Sequence, residues 1–103
     1  MLESAYAGAL ALELSAMGIQ FLQHPVVPVE WKGVEIGGGL RPDFLIDRCL
    51  VVELKAVEQI ADVHLRQTRT YTQILNYRLG LLINFGALRL KDGIRRVANG
   101  MPS

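Results

Sequence analysis

The stretch RPDFLIDRCLVVELK, from Arg41 to Lys55, constrains the fold more than any other part of the chain. Two apolar runs of strand length, Arg41 to Ile46 and Leu50 to Ala56, flank Asp47, Arg48 and Cys49. That pattern predicts a β-hairpin. Side chains alternate along a strand, so Val51, Glu53 and Lys55 share one face, while Leu50, Val52 and Leu54 take the other. On the preceding strand Asp43 and Leu45 share a face. With Asp47, Arg48 and Cys49 as the connection, Ile46 pairs with Leu50, Leu45 with Val51 and Asp43 with Glu53. A two-residue turn would instead set Asp43 against Val52 or Leu54. Whether the two acids meet therefore depends on an odd offset, from the loop or from a bulge.

Two carboxylates directly opposite repel, and partial burial raises the cost. A divalent cation relieves both problems. Magnesium takes oxygen ligands and keeps several waters; Asp43, Glu53 and the Leu54 carbonyl can supply the protein ligands, for Mg²⁺ or for Mn²⁺. Lys55, on the same face, is placed to orient an attacking water or to stabilise charge on a scissile phosphate. The competing reading of this spacing is a solvent-facing strand with an ordinary Glu–Lys pair, and spacing alone does not choose between them.

The rest of the chain supplies elements around this hairpin. Leu2 to Met17 is helix-like, with apolar residues at Leu2, Tyr6, Ala9, Leu10, Leu14 and Met17 and a terminating Gly18. Ile19 to Phe21 reads as a short strand, and His24-Pro25 as a loop in which His24 has no evident role. Val26 to Trp31 is β-prone but holds Pro28, which suits an edge strand or a bulge. Lys32-Gly33 reads as a turn before Val34 to Ile36, and Gly37 to Gly39 as a flexible or close-packed bend. A helix is predicted from about Ile60 to Tyr77, a buried strand over Leu79 to Phe85, a turn at Lys91-Asp92-Gly93 and a last strand over Ile94 to Val97.

At 103 residues the chain has room for one domain. A net charge of +1 gives no global attraction to nucleic acid, so such a partner requires a local basic patch. A single cysteine excludes an internal disulfide and fits a reducing, cytoplasmic setting. No apolar run reaches the length of a membrane span.

The residues Pro42-Asp43 followed by Glu53-Leu54-Lys55 resemble the signature of the PD-(D/E)XK nuclease superfamily. More closely, the chain resembles the GxxExxxY protein family within it. The matching stretches are Leu2-Glu3-Ser4 with Tyr6, Lys32 to Val34, Arg41 with Asp43, Val52 to Glu58, then His64, Gln67, Thr70-Tyr71, Gly80 to Phe85 and Leu90 to Arg96. The resemblance implies an α/β, mixed α+β fold: a restriction-endonuclease-like core with a mixed central sheet flanked by helices. It implies Asp43 and Glu53 as metal-binding acids, Lys55 as the catalytic lysine, and Glu3 on the first helix approaching the same metal. It also implies roles for Gln67 and Tyr71, which match a Gln-x-x-x-Tyr pattern of related nucleases. Family members carry a further helical stretch before Leu2, so the resemblance implies an N-terminal helical segment that this sequence lacks.

Gln67 and Tyr71 share a helix face with His64. They read either as contacts to phosphate, water or substrate, or as a half-buried polar seam against the sheet. Arg41 shares the face of Asp43 and reads as a charge balance or a substrate contact. Arg66, Arg69, Arg78, Lys91, Arg95 and Arg96 can neutralise phosphates or simply solvate the surface. The leading expectation is a Mg²⁺-dependent nuclease acting on nucleic acid, with a homodimer extending a short core's reach. The alternatives are a non-catalytic nucleic-acid-binding or protein-interaction module that keeps the fold, and a metal-independent nucleic-acid binder.

Overall fold

The structure, a computed structural model, describes residues 2–99, apart from the side chains of Leu2 and Trp31. Helix α1 spans Leu2–Ala16. Gly18, left-handed at φ 71°, follows it, and the Ile19 N–H donates to the Leu14 carbonyl at 3.0 Å. The buried stripe differs from the expected one. Ala7 and Leu14 are buried with Leu10 and Ala11 packed beside them, whereas Ala9 and Met17 face solvent. A helix that is apolar on nearly every side offers several stripes, so periodicity alone cannot select the packed one.

Strand β1 is Phe21–Gln23. It begins two residues later than expected because Ile19 is still engaged in the helix cap. Strands β2, Val27–Trp31, and β3, Val34–Leu40, form a separate antiparallel pair. Their turn is Lys32-Gly33, with φ of 52° and 79°. The pairing slips between Val27 and Val29, at the bulge expected for Pro28. The three glycines do not end the strand but lie inside β3. Gly39 has φ 67°, and a Cβ there would run into the Val27 carbonyl, so the close approach is real while the break is not.

The remaining elements are β4 (Phe44–Ile46), β5 (Leu50–Lys55), α2 (Asp62–Leu75), β6 (Leu79–Asn84), a 3-10 turn over Leu90–Gly93 and β7 (Ile94–Ala98). The main sheet has the order β1-β4-β5-β6-β7. All neighbours are antiparallel except β5 and β6, which α2 connects as a parallel pair. Alternation sends Phe44, Ile46, Val52 and Leu54 to the α1 side, against Ala7 and Leu14. Leu45 and Val51 point to the α2 side, against Tyr71. The result is a mixed sheet flanked by helices, in keeping with the expected restriction-endonuclease-like core. Among the described residues, no helix is long and apolar enough to cross a membrane.

Candidate functional site

The register of the β4–β5 hairpin is the one a three-residue connection predicts: Leu45 lies opposite Val51 and Ile46 opposite Leu50. Asp47 and Arg48 are both left-handed, at φ 52° and 55°, and the Cys49 N–H closes the turn on the Ile46 carbonyl at 3.1 Å. Strand β4 is shorter than expected and starts only at Phe44, with Asp43 just outside it. Pro42, fully buried, has no N–H to contribute to a ladder.

Where the ladder stops, the acids take over its bonds. The Asp43 backbone N–H donates to Glu53 Oε2 at 2.6 Å. The Leu54 N–H donates to Asp43 Oδ2 at 2.7 Å. The two carboxylates therefore interlock the end of the hairpin, each keeping one oxygen outside these bonds. Both bonds are at or below the short end of the usual N–H···O range.

Glu53 is only 5 % exposed. Burial pushes its carboxyl up to about 8, with the Asp43 charge adding to the rise; the bond from the Asp43 N–H and the Lys55 ammonium partly oppose it. Glu3, reaching in from α1, adds a smaller upward push. Without a counter-charge the Glu53 carboxyl is thus largely protonated at neutral pH. This donor set fits a hard divalent cation: two carboxylates crowded at a buried edge lose their repulsion when a cation replaces the proton. Among the described residues, however, no three His, Cys, Asp or Glu side chains converge as a ready-made ion cage.

Glu3, Ser4, His24, Asp43 and Leu54 line a cleft of about 370 Å³ between the start of α1 and the hairpin. A larger groove of about 480 Å³ follows β1 past Phe21, Leu22 and Arg48, and holds neither acid. Lys55 is half-buried at the end of β5, paired in register with Asn84.

On the other side of the sheet, Tyr71 is 8 % exposed and its hydroxyl receives a bond from Gln67 Nε2 at 3.2 Å. Burial, and then the Glu53 charge, raise the Tyr71 phenol; the Gln67 bond and the Arg41 backbone N–H pull the other way. Gln67, Tyr71, Glu53 and the Arg41 backbone thus form one neighbourhood. In the first turn of α2, His64 Nδ1 accepts the Ala61 N–H at 3.1 Å and closes that turn. The Arg41 side chain is exposed.

Two residues carry more than the sequence indicated. Asn84 is buried at 2 %. Its Oδ1 accepts the Val57 and Gly86 N–H groups at 2.9 and 3.0 Å, and its Nδ2 donates to the Val57 carbonyl at 2.8 Å. This clamp holds the chain leaving Lys55. A Cβ at Gly86 would strike Val57, so the clamp needs glycine there. An asparagine ending an apolar strand looks like a turn residue, which hides this role. His24 is the second: its Nδ1 lies 3.7 Å from Asp43 Oδ1. Only its place beside a proline was visible in the sequence.

A family model described as the PD-(D/E)XK nuclease superfamily matches residues 1–97. The chain is similar in structure to the protein of the crystal structure of SSO0001, with a TM-score of 0.67 and 15 % identity, over 98 % of this chain and 52 % of that one. It is also similar to an alkaline exonuclease (LHK-Exo) from Laribacter hongkongensis, with a TM-score of 0.60 and 16 % identity, over 93 % of this chain and 55 % of that one. At such identities the likeness is one of fold. The chain spans about half the length of both solved structures. No curated protein matches the sequence.

Proposed function

This chain belongs to the PD-(D/E)XK nuclease superfamily, and from that premise we propose that it is a metal-dependent nuclease hydrolysing phosphodiester bonds of DNA or RNA. What supports the reading is the interlock of Asp43 and Glu53 beside Lys55. Asp43, Glu53 and the Leu54 carbonyl would hold Mg²⁺ or Mn²⁺, with Glu3 facing the ion from α1. When bound, the ion supplies charge neutralisation at the phosphate and a more acidic water. Lys55 orients the attacking water or offsets the charge that develops on the phosphate. Gln67 holds a water or a phosphate oxygen near Glu53. Tyr71, Arg41 and His64 contact the substrate strand.

Within the superfamily, the stretches Lys32 to Val34, Val52 to Glu58 and Leu90 to Arg96 support membership of the GxxExxxY family. A homodimer in the cytoplasm is the form in which a core of this length would cover a nucleic acid. The test is cleavage of single- and double-stranded DNA and RNA in Mg²⁺, Mn²⁺ or EDTA, by the wild type and Lys55→Ala. Metal-dependent cleavage should fall by about 10²-fold or more in the variant. Equal rates would remove Lys55 from the site.

One observation favours a second reading, a non-catalytic nucleic-acid-binding module: no three metal-binding side chains converge among the described residues. Binding that is indifferent to metal, with no cleavage in any ion, would establish it.

A further inference from the structure

Helix α1 and the end of β6 meet through a pair of aromatic rings. Tyr6 and Phe85 stack with centroids 3.9 Å apart and planes inclined by 4°. Aromatic pairs usually settle offset or edge to face, with centroids about 4.5 to 7 Å apart. Phe21 and Phe44, in the same core, do so at 5.8 Å and 45°. Close parallel stacking is instead the geometry of a nucleobase on an aromatic side chain.

The stack adjoins the candidate site through both of its members. The Phe85 N–H donates to the Lys55 carbonyl at 2.8 Å, which fixes Phe85 beside the strand end that carries Lys55. Glu3 and Tyr6 are three residues apart on α1, so they share a face, about 4.5 Å apart along the axis. Glu3, Ser4 and Ala7 of the same turns line the cleft of about 370 Å³ that Asp43 also lines. The two rings are not equivalent. Phe85 packs against the α1-side core, and Tyr6 has no place in that packing. Phe85 is therefore the inner ring and Tyr6 the outer, and both are half-buried rather than enclosed.

We propose that Tyr6, backed by Phe85, is a stacking platform for one unpaired base, and that the site therefore takes single-stranded DNA or RNA in preference to an intact duplex. The proposal rests on the nuclease reading given above and names its substrate class. A phosphate held at Asp43 and Lys55 leaves the base of the same or the next nucleotide about one turn of α1 away, where the outer ring lies. A paired base inside a duplex has no free face, because its neighbours cover both. Every base has a π-face, so such a contact tolerates any sequence. With a net charge of only +1 the chain has little long-range attraction to a polyanion, and a contact that does not depend on charge gains weight.

The test is binding of short single-stranded DNA and RNA oligonucleotides to the full chain in EDTA, with an abasic site moved through every position. In the wild type, removing the base at one position should weaken binding on the order of tenfold, and a blunt duplex should bind less tightly than the single strands. Iodouracil at that position should photocrosslink to Tyr6. Tyr6→Phe should keep this behaviour. Tyr6→Leu, shown to be folded by its melting transition, should bind intact and abasic strands alike. Single-strand binding with no position sensitive to base removal overturns the platform and leaves the nuclease reading intact. So does a blunt duplex bound as tightly as the single strands, or abasic discrimination retained by folded Tyr6→Leu. A crosslink that maps away from Tyr6 overturns it as well, and decides the matter even where Tyr6→Leu does not fold. No binding of any nucleic acid by the wild type, with or without Mg²⁺, overturns the nuclease reading and the platform with it.

Discussion

Glu53 sits where an isolated carboxylate should not. It is buried, an acid lies next to it, and its proton is held up to about 8 against an ordinary 4.5. The raised value means that the fold favours the protonated acid. Its contribution to stability is complete below about 4.5 and is lost as pH rises through about 8. In EDTA the protein should therefore melt at a higher temperature at pH 5.5 than at pH 8.5, and Glu53→Gln should flatten that part of the profile. A wild-type profile with the opposite slope there would contradict the assigned environment. The same group sets the metal response: a cation must displace this proton, so affinity for Mg²⁺ or Mn²⁺ should climb with pH up to about 8.

At the scale of elements, the hairpin and the clamp at the end of β6 position the chemistry. The hairpin register brings Asp43 and Glu53 together just beyond its last ladder pair, Phe44 with Val52, where their side chains take over the bonding; two left-handed residues, Asp47 and Arg48, form its turn. Asn84 works at the other end. It joins β6 to the segment after β5 through two hydrogen bonds to Val57, and a third, from the Gly86 N–H, holds the turn just beyond β6. Asn84→Ala leaves buried backbone groups unpaired and should destabilise the protein by about 2–4 kcal/mol. Denaturant titration measures this, and a loss under about 0.5 kcal/mol would show that water replaces the clamp. His64 contributes at this scale as well, by closing the first turn of α2 from within.

At the scale of the whole molecule, charge and metal linkage are the relevant quantities. A net charge of +1 provides no long-range attraction to a polyanion, so binding must use local cations. Arg66 and Arg69 are exposed on α2, the helix that also carries Gln67 and Tyr71. The double variant Arg66→Ala, Arg69→Ala should weaken nucleic-acid binding and lower the salt slope by about one for each phosphate that is no longer neutralised. An unchanged slope would move the interface to another face. A cation bound only by the native state also shifts unfolding by mass action. Millimolar Mg²⁺ or Mn²⁺ should raise the melting temperature of the wild type relative to EDTA, and should not do so in the Asp43→Ala, Glu53→Ala double variant. An equal rise in both would place the ion elsewhere.

The sequence by itself determined what depends on local pattern. Alternation and a three-residue connection were enough to set Leu45 opposite Val51 and to separate Val51 from Val52 onto two faces, because the strand period leaves no freedom once the turn length is known; that the ladder stops at Phe44, leaving Asp43 to meet Glu53 through a side-chain bond, was not legible. Gly18, Lys32-Gly33 and Pro28 announced a helix end, a turn and a bulge through backbone conformations that few residues adopt. Tertiary structure decided the rest. The packed face of α1 could not be read, since its side chains are apolar almost all round and only contact with Val52 and Leu54 selects Ala7 and Leu14. Glu3 reaches the acids only because α1 crosses that end of the sheet. His24 and Asn84 owe their roles to partners 19 and 27 residues away, Asp43 and Val57. Contacts across such separations leave no periodic trace in a chain, because they arise only when packing brings distant segments to one place.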